Sequence, residues 1–236
     1  MSTKGIKNQR LMTFSDVDSS MLEPGIEQRF NFDFSKKYIE NKHILDVGCW
    51  TGMFELLAYE HVSKLTAVDV EPKALEILKK NIPQVECYEA FSHKLPFPDK
   101  TFDVVTFWAV IEHIPVGYEL ASILEMKRVL KSGGYLFLTT MNKSIFSDIL
   151  DPAYWLVGHR HYKKENLTKM LLDAGFKVEN VKLHGSFLSS FNVISFYMSK
   201  YIFKNKLPKI KFLEKKLVKN YYDPGFFEIA IRAKAR

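Results

Sequence analysis

The residues best suited to hold a ligand lie at the end of the first predicted strand. Residues 44–52 read ILDVGCWTG, an apolar run that leads into Asp46, Gly48 and Gly52. Glycines let the chain turn sharply and bring backbone amides close to a ligand. Asp69 follows 17 residues after Gly52, at the end of the next predicted strand, where a carboxylate can accept both hydroxyls of a ribose. A glycine loop and an acid at this spacing indicate a nucleoside cofactor.

Two nucleoside cofactors compete for this loop. A nicotinamide dinucleotide needs G-x-G-x-x-G, whose amides and helix end face a pyrophosphate. The loop here is G-x-x-x-G, and Asp46 is an unfavourable neighbour for a pyrophosphate. S-adenosylmethionine (SAM) has an ammonium group, a ribose and an adenine, and no phosphate. The residues therefore favour SAM, and an NAD-dependent dehydrogenase is the less favoured alternative.

The chain also resembles a known family, the class I SAM-dependent methyltransferases. ILDVGCWTG is similar to motif I of that family. The resemblance spans about 43–183 and is nearest to the small-molecule branch, which includes quinone, sugar and lipid methyltransferases. Its further matching segments are 67–70, 95–105, 110–113 and 128–136.

The resemblance implies roles for individual residues. Motif I would hold the methionine portion of SAM, Asp69 the ribose, the residues after Asp69 the adenine, and the end of the fourth strand the sulfonium. The implied cofactor-binding residues are Asp46, Gly48, Cys49, Trp50, Gly52, Asp69, Val70, Glu71, Phe91, Ser92, Phe107, Trp108 and Ala109, with Arg29 as a candidate for the SAM carboxylate.

Two of these residues depart from the family pattern. Phe91 stands where the family often has an acid that binds the adenine amine, so the amine would meet the Ser92 hydroxyl or a backbone carbonyl. Trp50 stands where the family usually has glycine. We expect the Trp50 ring to point away from the ligand and to pack against the N-terminal segment or a lid. A SAM-binding protein without catalysis, such as a scaffold, therefore remains an alternative.

Methyl transfer to a hydroxyl requires the acceptor to be held in line and usually a general base. The candidates are His113, which follows the fourth strand, and His161, with Tyr162 as an alternative. The chain has no Asx-Pro-Pro-aromatic motif, no Pro-Cys and no acidic pair after the fourth strand. Those absences disfavour base amines, cytosine C5 and arginine as acceptors. An oxygen of a small molecule, sugar or lipid is the favoured acceptor, with carbon or nitrogen less favoured.

The elements that must position these residues alternate along the chain. Apolar runs predict strands, and apolar positions at helical spacing predict helices. The predicted strands are 44–47, 65–70, 85–88, 104–108, 135–140, 176–183 and 226–233, and the predicted helices are 26–40, 53–61, 72–81, 117–131 and 164–174. This order predicts an α/β fold with a doubly wound, mostly parallel sheet. The resemblance implies a Rossmann-like sheet of seven strands, the last antiparallel, with helical lid insertions.

Length and composition fit one domain. The 236 residues, 47% of them hydrophobic, are predicted to form a single methyltransferase domain. Its parts are an N-terminal cap (1–40), a SAM-binding core (43–140) and two acceptor-side insertions (141–163 and 185–222). The two cysteines, Cys49 and Cys87, form no metal-ligand pattern, so no metal is expected. The first residues contain no signal-peptide core, so we expect a cytoplasmic protein.

The excess of basic charge lies in the second insertion. Residues 200–219 contain eight lysines and one acid, which accounts for the whole net charge of +7. Three interpretations remain open: a solvated lid, peripheral contact with an anionic membrane, and nucleic acid. Arginine is absent from the segment, which disfavours nucleic acid. If the membrane interpretation holds, the acceptor is a lipid or a lipid-linked sugar.

Overall fold

The computed structural model describes residues 23–190, 194 and 211–236. Its strands are β1 (His43–Val47), β2 (Lys64–Asp69), β3 (Glu86–Glu89), β4 (Phe102–Trp108), β5 (Leu130–Met141), β6 (Phe176–His184) and β7 (Glu228–Ala235). Its helices include α1 (Ile26–Ile39), α2 (Glu55–Ala58), α3 (Pro72–Asn81), α4 (Glu119–Val129), α5 (Ile145–Leu150), α6 (Pro152–Val157), α7 (Lys164–Asp173) and α8 (Lys211–Tyr222). Residues 187–190 are also helical. The predicted apolar helix near the start of the second insertion lies largely outside the described residues.

The strands form one seven-stranded sheet in the order β3-β2-β1-β4-β5-β7-β6. Parallel pairing joins β3, β2, β1, β4 and β5, whereas β7 is antiparallel to both of its neighbours. Strands β1 to β6 therefore point the same way, and β7 alone is reversed. The predicted Rossmann-like sheet with an antiparallel last strand is confirmed. The carboxyl ends of β1 to β6 share one edge, where doubly wound sheets bind ligands.

Helices cover both faces of the sheet and bury an apolar layer on each. One layer joins the sheet to α4 and α7, with Ile123, Met126, Leu167 and Leu171 fully buried. The other layer joins it to α1, α2 and α3 through Ile39, Ala58, Leu75 and Leu78. Successive strand residues face opposite layers, so Phe107 packs in the first layer and Trp108 in the second.

Three details differ from the sequence-based expectations. Helix α4 ends at Val129, and the glycines predicted to stop it belong to β5. A Cβ on Gly134 would lie 2.8 Å from the carbonyl oxygen of Asp103, so this glycine permits close strand packing. Helix α2 is shorter than the helix predicted at 53–61. Strand β3 is partly exposed because, as the edge strand, it has a neighbour on one side only.

Candidate cofactor and acceptor site

The glycine loop depends on its two glycines for both conformation and space. Gly48 has φ +84° and Gly52 has φ +89°, backbone conformations that L side chains rarely adopt. A Cβ on Gly48 would overlap the side chain of Val110, and one on Gly52 would overlap Leu78. Any side chain at these positions would therefore separate the loop from the segment after β4 or from α3.

Trp50 shares the left-handed conformation, with φ +49°. This explains why the family usually has glycine here, since only glycine adopts that φ without steric cost. The residue is partly buried, and its backbone N–H donates to Asp69 Oδ2 at 2.8 Å. The tryptophan thus keeps the loop conformation at the cost of backbone strain. That its ring closes the cofactor pocket stays a prediction.

Replacing Trp50 by glycine and by alanine isolates that strain, because both changes remove the same ring. We expect Trp50→Gly to be more stable than Trp50→Ala by about 0.5–1 kcal/mol. The left-handed conformation costs an L residue roughly 1–2 kcal/mol, and the greater unfolded-state entropy of glycine offsets part of it. Urea unfolding measures the difference. Cys49, whose φ is not positive, is the control position. There the alanine variant should be more stable than the glycine variant. If glycine is the more stabilising residue at both positions, the strain interpretation of Trp50 is contradicted.

Asp69 is placed to hold a ribose. It lies at the end of β2 with 8% of its surface exposed. Its Oδ2 accepts the Trp50 N–H and its Oδ1 accepts the Glu71 N–H at 3.0 Å. Burial raises the pKa of this carboxyl, and the backbone donors oppose that shift. Each oxygen keeps a lone pair, so the carboxylate can accept two further hydroxyl donors.

A second acid, which the sequence did not indicate, lies beneath the loop beside Asp46. Asp46 is 3% exposed and accepts a hydrogen bond from the Thr106 hydroxyl. Burial raises its pKa to about 6. Glu55, at the start of α2, is fully buried, and burial followed by the charge of Asp46 raises its pKa well above the usual range. Asp46 is therefore the more readily ionised of the two carboxyls, and its negative charge suits an ammonium group.

The side predicted to bind adenine is open and apolar. Val70 is 44% exposed and Phe91 is 47% exposed. The Ser92 hydroxyl lies 2.8 Å from that of Ser122, which itself donates to the Tyr118 carbonyl. Ser92 must then donate to Ser122, and its own lone pairs remain available to accept an amine N–H. Phe91 could offer its ring face where the family offers an acid.

The residues predicted near the sulfonium divide into buried and accessible ones. Phe107 is fully buried in the core, so its side chain does not reach a cofactor. Trp108 is 8% exposed, and its Nε1 has no hydrogen-bond partner among the described residues. Ala109 is partly exposed and has φ +52°. The buried Cys49 has a pKa raised well above its usual value by burial, so it stays a thiol.

His161 occupies an ion-pair network instead of facing the cofactor loop. Its Nδ1 lies 2.7 Å from Asp148 Oδ1 and its Nε2 lies 3.0 Å from Asp151 Oδ2. Each ring nitrogen of His161 therefore lies against a carboxylate of the protein itself, and neither is open towards a methyl acceptor. The geometry therefore corrects the assignment of His161 as a base: the side chain ties α5 to α6.

Tyr162 and Arg160 fasten the first insertion to the segment after β4. The Tyr162 hydroxyl donates to the Ile111 carbonyl at 3.1 Å, and Arg160 donates to the carbonyls of Ile111 and Ile114. Burial raises the pKa of Tyr162 above its usual value. Tyr162 therefore keeps its phenolic proton and already donates it to the Ile111 carbonyl, so it is a poor base. Its side chain instead helps to position the first insertion.

His113 is the predicted base that remains open. It is exposed, and its ring packs edge-on against His159 with centroids 4.4 Å apart. Although part of its surface reaches solvent, the surrounding protein partly desolvates the ring and lowers its pKa, and electrostatic interactions with His159 and Arg160 lower the pKa further. No described residue forms a hydrogen bond with its side chain, so a neutral ring nitrogen can accept a proton.

Arg29, by contrast, lies exposed on α1. Its charge acts on Tyr222, at the end of α8, and lowers the pKa of that phenol against the larger effect of burial. The structure does not bring Arg29 together with the loop residues. In the described part of the chain, no group of three or more His, Cys, Asp or Glu side chains is arranged to hold a metal ion.

This fold and this edge define a protein that binds a nucleoside cofactor on a doubly wound sheet. The family model for a methyltransferase domain matches residues 25–181, and the chain belongs to that family. The resemblance stated from the sequence is therefore confirmed, together with SAM as the cofactor that the family uses.

Two curated proteins match more than half of this chain. A Mycobacterium tuberculosis protein named as a probable S-adenosylmethionine-dependent methyltransferase is 32% identical over 135 residues, covering 57% of this chain and 48% of that protein. A ubiquinone biosynthesis O-methyltransferase of Coxiella burnetii is 26% identical over 157 residues, covering 61% of this chain and 66% of that protein. The chain thus spans about half the length of the first of these relatives.

Solved structures share the fold. An S-adenosylmethionine-dependent methyltransferase from Mesorhizobium loti has a TM-score of 0.64 at 15% identity, covering 90% of this chain and 99% of that chain. The [4+2]-cyclase SpnF has a TM-score of 0.61 at 18% identity, with 88% and 80% covered. Because a cyclase shares the architecture, the fold alone does not assign the reaction.

Proposed function

We propose that the protein transfers the methyl group of SAM to an oxygen of a small organic acceptor, a sugar or a lipid. The observation that carries the proposal is the joint position of three features at one sheet edge. These are the glycine loop after β1, the Asp69 carboxylate at the end of β2, and the open imidazole of His113 after β4.

Each feature has a distinct part in this proposal. The loop and the Asp46 charge hold the methionine portion, Asp69 the ribose, and Val70, Glu71 and Ser92 the adenine. SAM supplies a methyl group already activated by its sulfonium. The enzyme then has to align the acceptor oxygen with that methyl, and His113 accepts the hydroxyl proton. The N-terminal cap and both insertions would shape the acceptor pocket.

Three considerations favour oxygen. His113 offers an open imidazole after β4, the kind of base that a hydroxyl acceptor needs. The sequence lacks the motifs associated with base amines and arginine. One curated relative is named for O-methylation. A non-catalytic SAM-binding scaffold and an NAD-dependent dehydrogenase remain the competing functions.

Calorimetry separates these functions. Binding of SAM and of S-adenosylhomocysteine, with methyl transfer to hydroxyl compounds, is the expected result. Binding without turnover on any acceptor would leave the scaffold, and binding of NADH in place of SAM would establish the dehydrogenase.

An exposed apolar surface lies beside the acceptor edge and supports a lipid acceptor. We call it the apolar face; it comprises Ile145, Phe146, Ile149, Trp155, Leu156 and Phe187, each 53–77% exposed. Isolated apolar residues are ordinary on a surface, but a grouped set usually marks an interaction site. The Phe146 and Phe187 rings are 5.2 Å apart, so the first insertion meets residue 187 there.

The basic helix α8 joins this surface. Asn220 Oδ1 accepts from the Ser186 hydroxyl at 2.5 Å, next to Phe187. Lys215, Lys216 and Lys219 on the same helix are exposed. Lysines beside aromatic side chains suit an anionic membrane surface, so we propose peripheral contact through 200–219 and the apolar face. Residues 200–210 lie outside the described part. No helix among the described residues is long and apolar enough to cross a membrane.

Neutralising the lysines of α8 should weaken membrane contact. Each lysine near an anionic surface contributes about 1 kcal/mol, so Lys215→Gln, Lys216→Gln and Lys219→Gln together should weaken binding about 100-fold. Co-sedimentation with vesicles containing phosphatidylserine measures it, against neutral vesicles.

A matched triple variant controls for total charge. Lys164→Gln, Lys169→Gln and Lys177→Gln remove the same number of exposed lysines from α7 and β6, and should leave vesicle binding unchanged. Equal pelleting of the protein with neutral and anionic vesicles, or none with either, would rule the membrane proposal out.

A further inference from the structure

Three glutamates converge at the carboxyl edge of the sheet, and none of them was predicted from the sequence as a binding or catalytic residue. Glu27 lies in the first turn of α1, Glu112 follows β4, and Glu228 begins β7. The pairing of Glu228 with Met141 and His184 puts it where β5 and β6 end. Burial raises the pKa of all three carboxyls, that of Glu27 to about 7, and the charge of Glu112 adds to the shift of Glu27.

The protein offers these carboxyls little positive charge. Thr140 donates its hydroxyl to Glu112 Oε2 at 2.8 Å, and Tyr221 donates to Glu228 Oε2 at 2.6 Å. Both donors are neutral. Within the described part of the chain, Glu27 and Glu112 form no ion pair.

The cations nearby are engaged elsewhere. Arg160 pairs with Glu119, and Lys182 Nζ lies over the Phe30 ring, 5.0 Å from its centroid. The charges of His159 and His161 reach Glu112 and lower its pKa against the larger effect of burial. Both histidines lie against Asp151, and His161 also lies against Asp148. In the described part of the chain, none of these side chains forms an ion pair with a glutamate of the three-glutamate cluster.

His184 gives an independent sign that a donor is missing. It is fully buried, and its Nδ1 lies 3.2 Å from the Tyr221 carbonyl oxygen, so Nδ1 carries a hydrogen. Burial lowers the pKa of His184 to about 3, so the ring is neutral and Nε2 is an acceptor. Nε2 has no hydrogen-bond partner among the described residues and lies 3.9 Å from Glu228 Oε2. A buried acceptor therefore faces a carboxylate, another acceptor when ionised.

We propose that the cluster of Glu27, Glu112, Glu228 and His184 binds a primary ammonium group carried by the methyl acceptor. When its carboxyls are ionised, the cluster offers only acceptors at its unpartnered oxygen and nitrogen atoms, and an ammonium group offers three donors and no acceptor. Its charge would also compensate the buried carboxylates, which are costly when unpaired. The inference rests on the proposed function and narrows it: the acceptor is an amine-bearing compound, held by its ammonium while an oxygen receives the methyl group.

Paired probes that differ in one group test the inference. Ethanolamine and ethylene glycol are titrated by calorimetry into full-length protein saturated with S-adenosylhomocysteine. At pH 8 ethanolamine should bind at least about tenfold more tightly, as expected of a charge-assisted contact over a neutral one. Its affinity should fall as pH drops to about 5.5, because the glutamates then take up protons while the amine stays charged. Ethylene glycol should show no such trend.

Charge-removing variants locate the site. Glu228→Gln and Glu27→Gln keep side-chain size and should each abolish the preference for ethanolamine. Glu179→Gln, on β6 near its amino end, is the matched control and should preserve it. Equal binding of the two probes, or a preference that survives both variants, would overturn the inference. Should either variant fail to fold, the absence of a pH trend in the unmodified protein would overturn it as well.

Affinity for S-adenosylhomocysteine and methyl transfer to amine-free hydroxyl compounds are measured alongside. Turnover of an amine-free compound without any amine preference would reject this inference and leave the proposed function standing. Loss of S-adenosylhomocysteine binding would instead count against the cofactor site itself.

Discussion

Replacing Asp69 by asparagine is expected to weaken SAM binding about 100-fold. The carboxylate accepts the N–H groups of Trp50 and Glu71 and keeps one lone pair on each oxygen for the two ribose hydroxyls. Asparagine replaces one acceptor oxygen by a donor, so one ribose hydroxyl loses its partner and the Trp50 or Glu71 N–H faces another donor. A hydrogen bond to a charged group contributes roughly 1.5–3 kcal/mol, and about 2.8 kcal/mol corresponds to a factor of 100.

Asp103 supplies the matched control for this substitution. It also accepts a backbone N–H, from His43 at 3.0 Å, and it pairs with Lys131 at 2.8 Å. It lies near the start of β4, at the sheet edge opposite Asp69. Calorimetry should show unchanged SAM affinity for Asp103→Asn. Equal losses in both variants would mean that Asp69 acts by supporting the fold, and unchanged affinity in Asp69→Asn would remove its ribose contact.

The fold and the cofactor edge could be predicted because local sequence determines them. Apolar runs such as 44–47 and 104–108 show buried strands directly, and parallel strands bring their following loops to one edge. Gly48, Gly52 and Asp69 stand at the ends of such runs, so their positions in the chain already imply their positions in space. The order of the motifs along the chain indicates the methyltransferase family, and the family model confirms it.

What the sequence did not reveal depends on contacts between distant segments. Glu55 and Glu27 read as ordinary acids in the first turn of a helix, a favourable and usually solvated position. Glu55 is fully buried and Glu27 is partly buried, and the sequence around neither residue indicates that burial. The position of His161 in the chain favours a role as base. In the structure, however, its two ring nitrogens lie within hydrogen-bond distance of Asp148 and Asp151. Periodicity gives the face on which a residue lies and says nothing about which polar groups meet there.

The structure also explains how a tryptophan can stand at position 50, where the family usually has glycine. Sequence comparison marks the residue as a departure, and the structure shows that the departure is in the side chain only. The loop keeps the left-handed backbone that a glycine would provide, with φ +49°. A family glycine can therefore be replaced when the rest of the loop, here the Asp69 bond to its N–H, fixes the conformation.

Replacing His113 by glutamine is expected to lower kcat for oxygen methylation by about 10²–10⁴-fold, the usual contribution of a general base. Because the side chain stands after β4, outside the loop proposed to hold SAM, cofactor affinity should stay unchanged. His61→Gln is the control, since His61 pairs with Glu40 just before β2 begins, at the opposite edge. A single-turnover assay with radiolabelled SAM measures the chemical step.

The pH dependence of kcat tests the same assignment independently. A base must be neutral to act, and the surroundings lower the pKa of His113 below its ordinary value of about 6.5. The rate should therefore stay level as pH falls through 6.5 and decline only in more acidic solution, and His113→Gln should lack that decline. If the decline persists in the variant, another group titrates, and retention of full kcat by His113→Gln would show that transfer needs no base at this position.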